Sequence, residues 1–134
     1  DLDLAASRAR YTQNDTAGNF IPGSIDKVAS FGVTVTDQGP WSGAFQLRYL
    51  GPRPLIEDNS VRSASTTLAY ARFAYQLNRR TRLSLDVFNL LNKRASDIDY
   101  YYASRLPGEA QPVDDIHFHP VESRSLRLTL VKNF

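Results

Sequence analysis

The stretch Ser123-Arg-Ser-Leu-Arg-Leu-Thr-Leu-Val-Lys-Asn-Phe134 closes the chain and contains its clearest alternation of apolar and polar side chains. Consecutive side chains of a strand point to opposite faces, so one face here is apolar and the other mostly polar. The apolar face carries Leu126, Leu128, Leu130 and Phe134. Such a strand either covers a protein core or turns its apolar face to lipid. The terminal aromatic residue favours lipid, because its ring suits a membrane interface while its carboxylate needs water.

Composition limits the class of protein without choosing one. The chain has 134 residues, of which 42% are hydrophobic and 22% are charged, which suits one domain. Its sequence contains no apolar run long enough for a transmembrane helix. The 16 basic and 14 acidic residues are scattered, so we expect no nucleic-acid partner. The absence of cysteine excludes disulfides, thiolate metal sites and a cysteine nucleophile.

Alternating side chains predict about six strands along the chain. The expected strands span residues 2–12, 27–36, 43–50, 65–77, 81–90 and 124–134. We therefore predict an all-β fold, an antiparallel up-and-down meander that forms part of a transmembrane β-barrel.

The connections between these strands are alternately short and long. Turn-forming clusters occupy residues 37–42 and 78–80, whereas residues 13–26, 51–64 and 91–122 form long connections. This asymmetry is typical of outer-membrane barrels, which have tight turns on one rim and long loops on the other. The smallest membrane barrels have about eight strands, so six are too few to close one. Because Asp1 also lies inside a strand pattern, we expect residues 1–134 to be a C-terminal segment of a larger barrel.

Several motifs occur in a characteristic order along the sequence. They are Ile21-Pro-Gly23, Leu47-Arg-Tyr-Leu-Gly-Pro-Arg53, Leu83-Ser-Leu-Asp-Val-Phe88 followed by Asn89-Leu-Leu-Asn-Lys93, Tyr100-Tyr-Tyr102, and the closing strand. Together they resemble the C-terminal end of TonB-dependent outer-membrane receptors. The Asn-Leu-Leu-Asn-Lys stretch after an alternating strand is the most specific of them. Lys132 departs from the family pattern, in which an aromatic or apolar residue is commoner at that position.

The resemblance implies a barrel of about 22 strands with a plugged lumen in the bacterial outer membrane. Such receptors take up ferric siderophores, cobalamin or carbohydrates, driven by the TonB complex through an N-terminal region. That region, the plug domain and the earlier strands are absent from this sequence. Residues 1–134 would form barrel wall in contact with outer-membrane lipid. The barrel-assembly machinery would read the last strand through Phe134, Leu130, Leu128 and Leu126.

A second group of residues suggests a place for a small-molecule substrate. Tyr100, Tyr101, Tyr102 and Arg105 lie in the last long connection, and aromatic rings and arginine are favoured contact residues for ligands. A strand extension above the membrane would explain the same tyrosines without a ligand.

Other chemistry is weakly indicated. His117 and His119 alternate in a strand-like stretch near Asp114 and Asp115, which makes a metal site conceivable, but an exposed polar stretch explains them as well. We therefore predict no metal and no cofactor. No Ser/His/Asp arrangement, phosphate loop or paired-carboxylate motif stands out, so we do not predict an enzyme. The alternative function is a soluble, lipocalin-like barrel that binds a small apolar ligand inside.

Overall fold

The chain folds entirely into strands and connections. A computed structural model describes residues 1–13, 16–36 and 38–134, and in these ranges it contains no helix long and apolar enough to cross a membrane. The ten strands are β1 (Leu2–Ala6), β2 (Arg10–Asp15), β3 (Gly18–Phe20), β4 (Lys27–Gln38), β5 (Trp41–Leu50), β6 (Thr66–Asn78), β7 (Thr81–Phe88), β8 (Ser96–Ser104), β9 (Val113–Pro120) and β10 (Ser125–Lys132).

Six of these strands form one antiparallel sheet in the order β1-β4-β5-β6-β7-β10. Every neighbouring pair in this sheet is antiparallel. The predicted all-β, antiparallel fold is therefore confirmed, although the structure has ten strands rather than about six. The sheet is open, with β1 at one edge and β10 at the other.

The four remaining strands form two hairpins inside long connections, which the sequence analysis did not predict. Strands β2 and β3 pair with each other, and so do β8 and β9. The strand predicted over residues 2–12 is divided because the chain leaves the sheet at Ser7. The Ser7 amide donates to the carbonyl of Asp26 at 2.9 Å, and its hydroxyl donates to the carbonyl of Ile25 at 2.7 Å.

The predicted short connections are two-residue turns. Strand β4 ends at Gln38 and β5 begins at Trp41, so the turn consists of Gly39 and Pro40. Gly39 has a φ of 64°, a conformation that glycine adopts without steric cost. Arg79 and Arg80 connect β6 to β7 in the same way.

The register places apolar side chains on one continuous face of the sheet. Leu128 lies opposite Leu85, which lies opposite Phe73, and this row extends across the strands. The same face carries Leu2, Leu4, Phe31, Val33, Val35, Phe45, Leu83, Leu126 and Leu130. Leu128 is 69% exposed and Phe73 is 58% exposed. Most of the large side chains of this face are exposed, whereas Ala69, Ala71 and Val87 between them are buried.

The opposite face of the sheet is polar and contains a buried carboxylate. Asp86 is 2% exposed, and its Oδ1 accepts a hydrogen bond from Arg72 Nε at 2.5 Å. The hydroxyl of Tyr70 donates to the same oxygen. Arg72 and Asp86 thus form an ion pair on the polar face. The guanidinium of Arg127 lies 5.1 Å from the ring centroid of Phe88 on this polar face.

Several buried residues lie in the long connections beyond one end of the sheet. Residues 51–65, which we call the central loop, contain buried Arg53, Pro54, Leu55 and Ser63. The central loop and the hairpins β2–β3 and β8–β9 together form what we call the loop layer. The buried residues of the central loop show that this long connection between β5 and β6 is ordered.

The Asn89-Leu-Leu-Asn-Lys93 motif forms a hydrogen-bonded turn at the end of β7. Asn89 Nδ2 donates to the carbonyls of Lys93 at 3.0 Å and Glu122 at 2.9 Å, while its Oδ1 accepts from the Lys93 amide at 2.9 Å. Asn92 Oδ1 accepts from the amide of Arg124 at 3.1 Å. Both asparagines have positive φ values, 46° and 48°, which asparagine tolerates better than most residues. The motif thus ties the end of β7 to the start of β10.

Candidate functional site

The three consecutive tyrosines lie on strand β8 of the hairpin β8–β9. Tyr100 is opposite His117 and Tyr101 is opposite Ile116, so Tyr100 and Tyr102 share one face while Tyr101 points to the other. The rings of Tyr102 and His117 are stacked, with centroids 3.9 Å apart and planes inclined by 15°. This packing gives the exposed hairpin a rigid aromatic surface.

A cleft of about 460 Å³ separates this hairpin from the central loop. All three tyrosines line it, together with Ile98 and Asp99 of the hairpin. The other side is formed by Pro22, Gly23, Arg53, Leu55, Ile56 and Glu57. The tyrosines predicted to contact a ligand are therefore brought together at one cavity.

A buried ion pair sets the distance between the two sides of the cleft. Arg53 Nη2 lies 2.8 Å from Asp99 Oδ2, and the side chains are 11% and 5% exposed. The same nitrogen donates to the carbonyl of Asp97 at 3.2 Å. The Arg53 amide donates to Ser63 Oγ at 2.9 Å within the central loop. Arg53 thus anchors the hairpin while its own backbone is held in the loop.

The hairpin β2–β3 packs closely against the central loop. The Phe20 amide donates to the carbonyl of Glu57 at 3.0 Å. A Cβ atom at Gly18 would lie 2.3 Å from that same carbonyl oxygen, and Gly18 also has a φ of 109°. Only glycine allows this approach without displacement of the backbone. The hairpin therefore supports the central loop from the side that bears Glu57.

Two further contacts order the central loop. Arg62 forms an ion pair with Asp26 at 3.6 Å and donates to the carbonyl of Pro52 at 2.9 Å. Hydrogen bonds from the backbone and the hydroxyl of Ser60 lower the pKa of the Asp58 carboxyl. Asp58 therefore stays ionised at neutral pH and stabilises the tight turn at the tip of this loop.

Arg105 does not line the cleft that the three tyrosines line. Its Nε donates to the carbonyl of Glu109 at 2.8 Å, and the Glu109 carboxylate accepts from the Leu106 amide at 2.7 Å. These bonds close the turn between β8 and β9. The arginine at the cleft is Arg53, which the sequence analysis noted only as part of a motif.

The histidines form aromatic contacts. His117 and His119 share a strand face with Asp115, whereas Asp114 lies on the opposite face. His119 makes an edge contact with Tyr100, with ring centroids 6.3 Å apart. Within the described ranges no group of three or more His, Asp or Glu side chains is arranged to hold a metal ion.

The closing strand presents its leucines as expected. Leu126, Leu128 and Leu130 lie on the apolar face and are exposed. Strand β10 ends at Lys132, so Phe134 follows the strand and is fully exposed. The ammonium of Lys132 lies 5.3 Å from the Phe134 ring centroid.

The cleft offers stacking surfaces, phenol hydroxyls and a neutralised ion pair, which suit binding of a polar or aromatic small molecule. Two structural residues of this region, Arg53 and Asn89, were visible in the sequence only as members of motifs. A comparison with protein-family models, with curated proteins and with solved structures finds no match to this chain.

Proposed function

We propose that this chain is the C-terminal barrel wall of a TonB-dependent outer-membrane receptor. The observation that carries the proposal is the continuous apolar face of the six-stranded sheet, whose leucines and aromatic residues are exposed. In water such a face is unfavourable by about 25 cal/mol for each Å² of apolar surface left uncovered. Lipid chains remove this penalty, and soluble proteins rarely leave so extended an apolar patch open.

The polar face of the same sheet supports a barrel wall. Asp86, Arg72 and Tyr70 form a hydrogen-bonded cluster there, and Arg127 lies beside Phe88. Charged groups are stable when they face a polar lumen and are strongly unfavourable when they face lipid. The division of apolar and charged residues between the two faces therefore matches an outward lipid surface and an inward lumen.

Features near the short-turn end also fit contact with a membrane. The rings of Trp41 and Tyr75 lie 4.5 Å apart, as expected for aromatic anchors at the interface. On the apolar face, Gly43 lies in a shallow groove of about 300 Å³ lined by Val33, Phe45 and Phe73, among others. Such a groove offers room for a lipid acyl chain.

The long-loop end would then face outward and carry the substrate site. The cleft between the central loop and the hairpin β8–β9, with Tyr100, Tyr101 and Tyr102 at its wall, is the proposed contact surface. The substrate would be a ferric siderophore, cobalamin or a carbohydrate, taken up with the TonB complex through the receptor's N-terminal region. The last strand, ending at Phe134, would serve the barrel-assembly machinery.

The soluble lipocalin-like alternative would require the apolar face to enclose a ligand. Leu4, Phe73 and Leu130 remain exposed on that face, and the loop layer packs beyond the sheet's end instead. The exposed leucines of the edge strand β10 thus favour the membrane proposal.

Vesicle flotation tests the proposal. The chain, refolded from urea with phosphatidylcholine vesicles, should float with them and become protected from protease. Replacing Leu126, Leu128 and Leu130 by Asn should abolish flotation, because three polar groups then face lipid. The matched variant carries Asn at Arg127, Thr129 and Val131 on the opposite face and should still float. A wild-type chain that is monodisperse without detergent and does not float would contradict the proposal.

A further inference from the structure

An arginine cluster lies at the short-turn end of the sheet, opposite the end at which the tyrosine cleft lies. Arg79 and Arg80 form the β6–β7 turn, and Arg82 follows on β7. All three line one cavity of about 490 Å³, together with Gln76, Val131 and Asn133. The register places Gln76, Arg82 and Val131 in one row on the polar face. The cavity therefore opens on the polar face at the rim of the sheet.

Arg79, Arg80 and Arg82 differ in their charge environment from the three arginines that form ion pairs. Arg53, Arg62 and Arg72 each form an ion pair with an aspartate. Among the side chains that the structure describes, no carboxylate lies within ion-pair distance of Arg79, Arg80 or Arg82. Three like charges around one cavity repel each other, and an anion bound between them would relieve this repulsion.

The backbone that carries the cluster is fixed by hydrogen bonds. The Arg80 amide donates to Asn78 Oδ1 at 2.9 Å, and the Arg80 carbonyl accepts from the Asn133 amide at 2.8 Å. Gln76 Nε2 bridges the turn to the carbonyls of Asn78 and Thr81. Arg82 Nη2 donates to Ser42 Oγ at 2.8 Å, which orients its guanidinium along the polar face. The turn is thus organised before any ligand arrives, and this lowers the entropic cost of binding.

We infer that the arginine cluster is a binding site for a phosphate group. Each guanidinium presents paired N–H donors whose geometry matches phosphate oxygens. Three guanidinium groups supply more donors than the two oxygens of one carboxylate accept, whereas a phosphate group has more oxygens to offer. The cavity also leaves room for the organic part of a phosphate ester. A phospholipid headgroup at the rim and a soluble phosphate ester share this chemistry.

This inference goes beyond the proposed membrane role and does not depend on it. The apolar face and the tyrosine cleft supply none of the residues that line this cavity. The two ideas therefore fail under different experimental outcomes.

The test uses the full chain in octyl glucoside, a neutral detergent without phosphate. Calorimetric titration with sn-glycerol 3-phosphate and with inorganic phosphate compares wild type, the cluster variant R79Q/R80Q/R82Q and the matched variant R8Q/R94Q/R124Q. We expect the cluster variant to bind at least about tenfold more weakly, because charge-assisted hydrogen bonds are lost. The matched variant removes the same charge from exposed positions elsewhere and should retain wild-type affinity.

A second experiment identifies the source of the phosphate. Vesicles of phosphatidylcholine, with or without phosphatidylglycerol, are mixed with each variant at low and high salt. Preference of wild type for phosphatidylglycerol, lost in the cluster variant, would assign a lipid headgroup. Binding of glycerol phosphate without this preference would assign a soluble ester.

Three results separate the ideas. The inference would be overturned if wild type and the cluster variant bound the phosphate compounds and the vesicles with equal affinity. It would also be overturned if the matched variant lost as much affinity as the cluster variant. The single variant Arg79→Gln, in the exposed turn, replaces the triple variant if that one does not fold. A chain that binds glycerol phosphate but ignores phosphatidylcholine vesicles would contradict the membrane role alone.

Discussion

The six-stranded sheet and the loop layer are stabilised in opposite ways. Leu128 and Phe73 of the sheet are largely exposed, while Leu55 of the central loop is 5% exposed. The sheet is held by its backbone ladders, and most of the large side chains of its apolar face are exposed. The central loop instead buries Arg53, Leu55 and Ser63, and its arginines pair with Asp99 and Asp26. A segment that is usually a connector is therefore stabilised by contacts within the chain.

The largest expected effect tests the buried charge at the tyrosine cleft. Arg53→Gln should lower the free energy of unfolding by about 3 kcal/mol, because it leaves the Asp99 carboxylate buried without a partner. The comparison variant Arg62→Gln breaks a half-exposed pair and should cost less than about 1 kcal/mol. Urea titrations in octyl glucoside measure both values.

A double variant separates the charge penalty from the loss of a contact. Arg53→Gln combined with Asp99→Asn should cost less than the sum of the two single changes, because no unpaired charge remains. If the free-energy costs of the two single changes summed to the cost of the double variant, the ion pair would not couple the hairpin to the central loop.

The next prediction compares equivalent side chains in the two regions. Leu55→Ala should destabilise the chain by about 2–3 kcal/mol, since it opens a cavity in the loop layer. Leu128→Ala should change the stability in detergent by less than about 0.5 kcal/mol, because its surroundings adapt freely. Hydrogen exchange localises the first effect to the central loop. Similar losses for both variants would remove the contrast between sheet and loop layer.

The smallest effect concerns the packing of hairpin β2–β3. Gly18→Ala should cost more than Gly23→Ala by about 1 kcal/mol, although both residues have positive φ values. The new methyl group at Gly18 would meet the Glu57 carbonyl, whereas a Cβ at Gly23 meets nothing within 4 Å. Limited proteolysis of residues 10–20 gives the readout. Equal rates of proteolysis in the two variants would show that the close approach of Gly18 to Glu57 does not stabilise the hairpin.

The sheet could be predicted from sequence because each of its strands alternates regularly. Leu83, Leu85 and Val87 alternate with Ser84 and Asp86 in the sequence, and the register places the two sets on opposite faces. Strand ends shifted by a few residues because turns are decided by local geometry. Trp41, for example, lies inside β5 rather than in the preceding turn.

The loop layer could not be predicted because its contacts connect residues far apart in the chain. Nothing near Arg53 indicates that its partner is Asp99, and nothing near Gly18 indicates a close approach to Glu57. The sequence predicts strand over part of β2 and offers a strand extension for Tyr100, Tyr101 and Tyr102, which lie on β8. It does not predict that β2 pairs with β3 or β8 with β9. The three tyrosines are consecutive in the sequence, yet the cavity they line depends on the central loop.

The turn formed by Asn89 has a consequence for how such a protein can change over evolution. Its side chain holds Lys93, where the chain leaves the sheet, and Glu122, where it returns. The two ends of the segment between β7 and β10 are therefore held next to each other, whatever the sequence of that segment. Hairpin β8–β9 could then be exchanged, lengthened or shortened with little effect on the pairing of β7 with β10. Asn89 would thus allow the hairpin to vary while the pairing of β7 with β10 remains constant.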